Sequence, residues 1–245
     1  MSIELTVLGC SGSFSSPASG PCSGFLVRAG GTSIWLDCGN GTFERLQSHV
    51  VVDDLSAVVI THRHPDHCVD LIGLATLLHI YRGVGAGPPV LAAPEVRDRL
   101  LALNSGVGDF FAWDEVADGD TRTVGEATLR FSETDHSVPT VAVEVEAGGK
   151  RLVYTADTGP GWSASAFGSR PDLLLSEATY QRGFEGIPIH LTAAQAGEMA
   201  RDVDARRLML THLVPLLDPA ASVTEAQETY GDQVTLAAPD LRVRI

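Results

Sequence analysis

The spacing of apolar positions predicts short strands alternating with helices along the chain. Apolar residues three and four apart predict helices at residues 66–82, 94–103, 193–203 and 223–230. Apolar runs bounded by Gly, Pro, Asn or Asp predict strands at residues 3–8, 23–29, 32–37, 58–60, 90–92, 128–132, 138–146, 151–156, 172–176 and 207–211, with two more short strands before residue 245. The order of these elements indicates an α/β fold.

Glycine-rich segments separate these elements. Gly30-Gly31 and Gly148-Gly149 each lie between two predicted strands and predict tight hairpins. A Gly/Pro cluster at residues 83–89 ends the first helix. The Gly/Ser-rich loop at residues 9–21 is longer than a turn requires. It is either a flexible connection or a wall on the substrate side, since small residues let backbone N–H groups approach an anion.

The densest polar segment lies between the strand at 58–60 and the following helix, where the sequence reads Thr61-His62-Arg63-His64-Pro65-Asp66-His67. Side chains two apart in an extended segment point the same way, so His62 and His64 face one point in space. The turn at Pro65 directs Asp66 and His67 toward a second point nearby. A lone His is usually a surface or core residue, but packing does not explain three imidazoles and a carboxylate within six positions. The pattern predicts two adjacent metal ions.

The size and composition of the chain are those of a globular domain. With 245 residues and 44% hydrophobic content, the chain can form one well-buried domain, residues 1–245, or two small ones. No apolar run reaches the ~20 residues of a membrane helix, and the first residues lack the basic segment of a signal peptide. We therefore expect a cytoplasmic protein with no membrane partner.

The cysteines indicate neither a zinc ribbon nor a disulfide framework. None of the four forms a C-x-x-C pair, and we expect free thiols at Cys10, Cys22, Cys38 and Cys68. Cys68 follows His67 and has the identity of a metal ligand. The alternative, a small buried hydrophobic residue at a helix start, is the more common one.

The net charge of −14 bears on the partner. It comes from 31 acidic against 17 basic residues, and Lys150 is the single lysine. Long nucleic acids are bound through many cationic contacts to phosphate, so this balance argues against a long RNA or DNA footprint. A small substrate held locally by metal ions is compatible with it.

Several polar residues stand where predicted strands end. His136, Asp157 and His212 each follow a strand, and each alone is explained as a turn residue. Asp37 either supports a neighbouring site or closes a turn before Gly39. His190 precedes the helix at 193–203, for which Thr192 is the expected N-cap, and is either a helix-entry residue or a general acid.

These residues together resemble a known family. The segment His62-x-His64-x-Asp66-His67 resembles the signature of the metallo-β-lactamase-fold hydrolases, and residues 35–42, Trp-Leu-Asp-Cys-Gly-Asn-Gly-Thr, are similar to a stretch of the ribonuclease Z branch. The overall pattern looks most like the short bacterial cyclic-nucleotide phosphodiesterases of this fold. The resemblance implies an αββα sandwich, in which two mixed β-sheets are flanked by helices.

The resemblance also implies a ligand set and a reaction. It assigns His62, His64, His136 and Asp157 to a first metal, and Asp66, His67, Asp157 and His212 to a second. Imidazole and carboxylate ligands without thiolate suit two zinc ions, and manganese or iron are compatible by ligand type. Such a pair lowers the pKa of a bridging water and suits hydrolysis of a small phosphodiester, with Asp66 orienting the resulting hydroxide. His190 then protonates the leaving alkoxide.

Departures from the family pattern define the alternatives. Ribonuclease Z enzymes carry a tRNA-binding arm between the third His and the bridging Asp, whereas only twenty residues separate His136 from Asp157 here. Metallo-β-lactamases proper carry a Cys in place of Asp157, which disfavours β-lactam hydrolysis, and Thr61 replaces the usual Ser. The alternatives are a lactone, ester or thioester hydrolase, a ribonuclease Z-like RNA 3′-processing endonuclease, and a metal-binding protein without catalysis. A homodimer is left open.

Overall fold

Two seven-stranded mixed β-sheets form the centre of the protein, whose computed structural model describes residues 2–81 and 87–245. In chain order, the strands are β1 Ile3–Gly9, β2 Gly24–Ala29, β3 Thr32–Leu36, β4 Ala57–Ile60, β5 Val90–Ala92, β6 Trp113–Glu115, β7 Thr121–Val124, β8 Ala127–Glu133, β9 Val141–Ala147, β10 Lys150–Tyr154, β11 Leu173–Glu177, β12 Leu208–Thr211, β13 Val234–Leu236 and β14 Arg242–Arg244.

The two sheets share one plan. The first has the order β14-β1-β2-β3-β4-β5-β6, and the second β13-β12-β11-β10-β9-β8-β7. Strands β3 to β6 are parallel to one another, as are β10 to β13, and the remaining pairs are antiparallel. Parallel strands present their carboxyl ends on one edge, so each sheet can supply side chains to a common site.

Helices cover the outer faces of the sheets. They are α1 Thr42–Leu46, α2 Pro65–Cys68, α3 Leu71–Tyr81, α4 Val96–Leu103, α5 Ala193–Asp202 and α6 Pro219–Tyr230, with 3₁₀ turns at Val52–Asp54, Ser105–Asp109 and Ala164–Phe167. Helix α1 contacts β1, β2 and α3, whereas α5 and α6 pack on each other and against β11 to β13. This is the predicted αββα sandwich, and the fold prediction is confirmed.

Strand alternation divides the apolar residues between two cores. Leu173 and Leu175 of β11 are buried in the main core, together with residues of the first sheet such as Phe25. Leu174, between them, points to the opposite face and packs in a second core with residues of α5. The central strands of the second sheet are therefore buried on both faces, as their apolar residues indicate.

The predicted helix at 66–82 is interrupted. Helix α2 ends at Cys68, and α3 begins at Leu71. At the break, the Asp70 N–H donates to Cys38 O at 2.8 Å, and the Asp70 carboxylate accepts from Phe43 N at 2.8 Å. In a continuous helix the Asp70 N–H would donate to the carbonyl of residue 66, so its bond to Cys38 replaces a local bond, and the carboxylate adds a second link to a distant segment. Arg82 and residues 83–86 of the predicted Gly/Pro cluster lie outside the described residues.

Other boundaries differ for local reasons. The last helix begins at Pro219, four residues before its predicted start, because Asp218 caps it by accepting from Ala220 N at 3.0 Å and proline favours the first helical position. Helix α4 begins at Val96 rather than residue 94, since Glu95 adopts a left-handed conformation. Helix α1 and the short strands β6 and β7 were not predicted. In residues 2–81 and 87–245, no helix has the length and apolar character needed to cross a membrane.

Candidate metal centre

The carboxyl ends of strands from both sheets meet at one edge of the sandwich. His62 and His64 follow β4 of the first sheet, and Asp66 and His67 lie in α2. His136, Asp157 and His212 follow β8, β10 and β12 of the second sheet. The structure thus brings all seven residues of the expected ligand set together, although they span residues 62 to 212 of the chain.

The first group of donor atoms contains His62, His64, His136 and Asp157, whose ligand atoms lie within 4.8 Å of one another. His64 Nδ1 lies 3.1 Å from His62 Nε2 and 3.2 Å from His136 Nε2. Asp157 Oδ2 is 3.6 Å from His62 Nε2. Atoms bound tetrahedrally to zinc at its usual bond lengths are about 3.3 Å apart, so this group has the spacing of a tetrahedral site.

The second group contains Asp66, His67 and His212, again within 4.8 Å. His212 Nε2 lies 3.3 Å from Asp66 Oδ2, and His67 Nε2 lies 3.6 Å from the same oxygen. Asp157 Oδ1 is 3.2 Å from His67 Nε2 and 3.4 Å from His212 Nε2. Asp157 therefore directs one carboxylate oxygen to each group, which is the geometry of a bridging ligand.

Hydrogen bonds made by the Nδ1 atoms of three histidines leave their Nε2 atoms free to bind a metal ion. His62 Nδ1 donates to Thr61 Oγ1 at 3.1 Å, and His136 Nδ1 donates to Ile189 O at 2.9 Å. His212 Nδ1 donates to Thr179 Oγ1 at 2.8 Å. Each bond sets the tautomer in which the nitrogen facing the group carries a lone pair, as metal binding requires.

Two buried atoms of the site have no hydrogen-bond partner among residues 2–81 and 87–245. They are His67 Nε2 and Asp157 Oδ1, which face each other at 3.2 Å. An unpaired buried polar atom costs about 1–3 kcal/mol, and a divalent cation bound to both atoms would remove that cost. The residues therefore fit a pair of divalent cations.

The electrostatics favour cations at the same place. Burial lowers the pKa of His62, His64 and His136, which keeps these imidazoles neutral and ready to bind a metal. Burial also opposes protonation of His67, but the charges of Asp157, Asp66 and Asp37 outweigh it and raise its pKa well above the ordinary value. The second group thus lies in a negative potential that attracts positive charge.

Asp37 supports the site rather than closing a turn. Its Oδ2 accepts from His67 Nδ1 at 2.8 Å, from Tyr154 Oη at 2.9 Å and from Thr61 Oγ1 at 3.0 Å. Its Oδ1 accepts from the Thr61 backbone N–H at 2.8 Å. The structure thus decides the alternative that the sequence left open.

His190 lies beside the donor groups and is held by a residue that the sequence analysis missed. Its Nδ1 donates to Oε1 of the buried Glu177 at 3.0 Å, and a ring nitrogen lies within 4.8 Å of donor atoms of Asp157 and His212. Burial lowers the pKa of His190, but the carboxylate of Glu177 outweighs it and raises the pKa to about 9. Glu177 ends β11, as His212 follows β12, so the strand-end criterion applied to its neighbours would have found it.

The remaining open alternatives concern the Gly/Ser loop and Cys68. The Ser13 backbone N–H donates to Asp66 Oδ2 at 3.0 Å, so the loop borders the site. A Cβ atom at Gly12 would lie 2.4 Å from the His212 carbonyl oxygen, so only glycine permits this approach. The Cys68 thiol is buried and donates to Arg63 O at 3.6 Å, outside both donor groups. All four cysteines are free.

Comparisons with known proteins show the family and the fold. Residues 32–213 match the β-lactamase superfamily domain. A probable metallo-hydrolase of Bacillus subtilis, YhfI, is 31% identical over 242 residues, covering 96% of this chain and 97% of YhfI. Its crystal structure, described as a metallo-β-lactamase fold protein, matches with a TM-score of 0.88 and 26% identity over 100% of this chain and 99% of that one.

Two further proteins are similar to this chain, one in sequence and one in fold. Ribonuclease Z of Methanopyrus kandleri is 30% identical over 263 residues, or 91% of each chain. A diphosphatase of the PhnP family shares the fold with a TM-score of 0.78, at 18% identity over 100% of this chain and 98% of that one. Because the family match spans most of the chain and YhfI aligns over nearly all of it, this protein belongs to the metallo-β-lactamase-fold proteins of the β-lactamase superfamily and is related to metallo-hydrolases.

Proposed function

We propose that the protein is a dinuclear metal-dependent phosphodiesterase whose substrate is a small phosphodiester, with a cyclic nucleotide as the best candidate. The observation that carries the proposal is the position of His190. Its ring lies beside both Asp157 and His212, and its Nδ1 is held by Glu177. A proton donor placed next to a dinuclear site suits a reaction in which an alkoxide leaves.

In this proposal, His62, His64, His136 and Asp157 hold one divalent cation, and Asp66, His67, Asp157 and His212 hold the other. The ligand types suit zinc, and manganese or iron are compatible with the same set. When bound, the two cations would supply a hydrolytic water that is deprotonated near neutral pH. They would also neutralise charge on the phosphoryl oxygens.

The side chains of the protein orient the reacting groups. Asp66 directs Oδ2 to the second group, and the Ser13 N–H donates to the same oxygen. The other oxygen, Oδ1, would accept a hydrogen bond from the nucleophilic water. His190 gives a proton from Nε2 to the leaving oxygen, because Nδ1 is engaged with Glu177. Glu177 acts through His190 as a positioning residue. Thr179 links Glu177 to His212, because its hydroxyl donates to Glu177 Oε2 at 2.7 Å and accepts from His212 Nδ1.

The segment between His136 and Asp157 supports a small substrate. It consists of β9, a Gly148-Gly149 turn and β10, with no inserted arm. The net charge of −14 disfavours a long polyanion unless cationic groups compensate for it. A cyclic nucleotide carries a single negative charge, which the two cations can bind locally.

A second candidate is RNA 3′ processing, which the 30% identity to ribonuclease Z favours. In this activity the same donor groups would cleave a phosphodiester in a long RNA. The two candidates differ in the substrate-binding surface and not in the chemistry. If the substrate is a small phosphodiester, pure protein loaded with metal should cleave pre-tRNA poorly. Efficient, site-specific removal of the 3′ trailer would favour the second candidate.

A hydrolysis panel tests the proposal against lactone and thioester hydrolysis as well. The loaded protein is assayed with 3′,5′- and 2′,3′-cyclic nucleotides, bis(p-nitrophenyl) phosphate, a homoserine lactone and a thioester. We expect turnover of the phosphodiesters that is lost when a chelator removes the metal. Faster turnover of the lactone or thioester than of every phosphodiester would reject the proposal.

A further inference from the structure

Two aromatic rings extend from His190 toward solvent. Tyr180 and Phe184 lie between β11 and α5, with ring centroids 5.4 Å apart and planes at 16°. The Tyr180 ring meets the His190 imidazole edge to face, with centroids 5.9 Å apart and planes at 76°. The three rings therefore form a series that begins at the proposed proton donor and ends at the surface.

The segment that carries these rings is anchored at several points. The Tyr180 N–H donates to Leu191 O at 3.1 Å, and the Ala193 N–H donates to Tyr180 O at 2.8 Å. The Gln181 amide donates to Asp218 O at 2.6 Å, and the Arg182 guanidinium pairs with Glu228 at 2.6 Å. Contacts to both α5 and α6 thus hold residues 180–182, and the Phe184 N–H donates to Gln181 O at 3.2 Å.

Phe184 is only partly covered by the described residues. Its side chain remains 43% exposed, and residues 182–186 around it are all exposed. The Phe184 ring stacks on Tyr180, which in turn contacts His190, so its exposed apolar surface is connected to the candidate site through one intervening ring. An exposed aromatic next to a site is a common feature of ligand-binding surfaces.

We propose that the Tyr180–Phe184 pair is the surface on which the aromatic base of the substrate stacks, and that Phe184 determines specificity for nucleotides over phosphodiesters without a base. The inference rests on the proposed function, since it takes His190 as the donor to the leaving ribose oxygen. In a nucleotide, the base lies one sugar ring beyond that oxygen. The His190 ring contacts the ring of His212, with centroids 5.5 Å apart, and also the ring of Tyr180, with centroids 5.9 Å apart, so the aromatic pair and the metal groups adjoin the same imidazole.

The chemistry of stacking sets the expected preference. Stacking tolerates any base, because every base has a π face, and its strength grows with the area of overlap. The larger purine ring should therefore bind more tightly than a pyrimidine. Such contacts change affinity by about 5- to 100-fold when the aromatic side chain is removed.

The test compares two diesters that differ only in the base. The substrates are 3′,5′-cyclic AMP and the 3′,5′-cyclic phosphate of 1-deoxyribose, in which a hydrogen atom replaces the base and the 2′-hydroxyl is retained. The variants are Phe184→Ala and the conservative Phe184→Tyr, with Tyr81→Ala, an exposed aromatic at the end of α3, as the matched control. Thermal unfolding and metal content are measured for each variant to show that the fold and the site are intact.

We expect Phe184→Ala to raise KM for cyclic AMP about 5- to 100-fold, with kcat nearly unchanged and with no effect on the abasic diester. Phe184→Tyr should restore KM, and Tyr81→Ala should resemble the wild type. An unchanged KM, or equal losses on both diesters, would overturn the inference while leaving the phosphodiesterase proposal in place.

If the wild type hydrolysed neither diester, the proposed function would fail, and binding would decide the inference separately. The probe is then AMP, titrated by calorimetry into the loaded wild type and variants. Weaker AMP binding by Phe184→Ala, with rescue by Phe184→Tyr, would support a base-stacking surface. Equal binding by the wild type and Phe184→Ala, or no binding by either, would reject it.

Discussion

His67 Nδ1 lies 2.8 Å from Asp37 Oδ2, and both side chains are fully buried. The two residues are thirty positions apart in the chain, and the bond fixes the imidazole so that Nε2 points into the second donor group. Hydrogen bonds of this kind typically change metal affinity by about 10- to 100-fold.

We therefore expect Asp37→Asn to weaken binding at the second metal group by about 10- to 100-fold, because an amide cannot accept from all the donors that surround Asp37. The first group should be affected less. Competition with a graded series of chelators, followed by metal analysis, measures both affinities.

Asp70→Asn is the matched control for Asp37→Asn. Asp70 accepts from Phe43 N at 2.8 Å and contacts neither donor group, and an amide oxygen can still accept that bond. The Asp70→Asn variant should keep both metals. Equal affinities in Asp37→Asn and wild type would show that His67 does not depend on this bond.

Asp157 directs one oxygen to each donor group. This arrangement predicts both the number of metal ions per chain and the effect of removing the carboxylate. Reconstituted wild type should hold two transition-metal ions per chain, and Asp157→Ala should weaken both sites because each loses a ligand. Metal analysis after exhaustive dialysis gives the count. A content of one ion or fewer in carefully loaded wild type would refute the dinuclear proposal.

His190→Ala should lower turnover of a cyclic nucleotide by ~10²–10⁴-fold while both metals stay bound. The loss should be much smaller on bis(p-nitrophenyl) phosphate, since p-nitrophenolate leaves without protonation. Steady-state kinetics on the two substrates and metal analysis of the same sample make the comparison. Glu177→Gln should show the same pattern with a smaller loss, because it removes the orienting charge and leaves the imidazole.

Loss of metal from His190→Ala would instead assign His190 to coordination, which its proximity to Asp157 and His212 permits. Equal kinetic losses on the two phosphodiesters, with both metals retained, would assign it to structure.

A buried ion cluster that includes none of the donor residues should contribute to stability. Oε1 of Glu144, whose side chain is fully buried, accepts from Arg130 Nε at 2.8 Å, and Oε2 accepts from Arg151 Nε at 2.8 Å. We expect Glu144→Gln to lower the free energy of unfolding by about 2–4 kcal/mol, since it leaves two guanidinium groups without their anion. Urea unfolding followed by circular dichroism measures the change.

The exposed pair of Asp114 and Arg122, 2.7 Å apart, is the control for this prediction. Asp114→Asn should cost less than about 1 kcal/mol, because solvent screens a surface pair. Similar costs for the two variants would show that the burial of Glu144 does not matter.

Local sequence determined the strands that carry the site and the identity of its donors. The motif from His62 to His67 places four donors within six residues, and its own backbone geometry brings them together. His136, Asp157 and His212 were found because each interrupts an apolar pattern where a strand ends. Thr192 was predicted as an N-cap and accepts from Gln195 N at 3.3 Å, since capping depends only on neighbours in the chain.

The tertiary structure alone decided which side chains hold the donors. Asp37, Glu177 and Thr179 contact His67, His190 and His212 through strand pairings that join distant segments. The same holds for the break before α3, where the Asp70 N–H donates to Cys38 O and the Asp70 carboxylate accepts from Phe43 N. Helix α1 and strands β6 and β7 are too short to show a period, and neighbours stabilise them. Sequence patterns report the preferences of a segment, whereas these features depend on free energy gained only when segments meet.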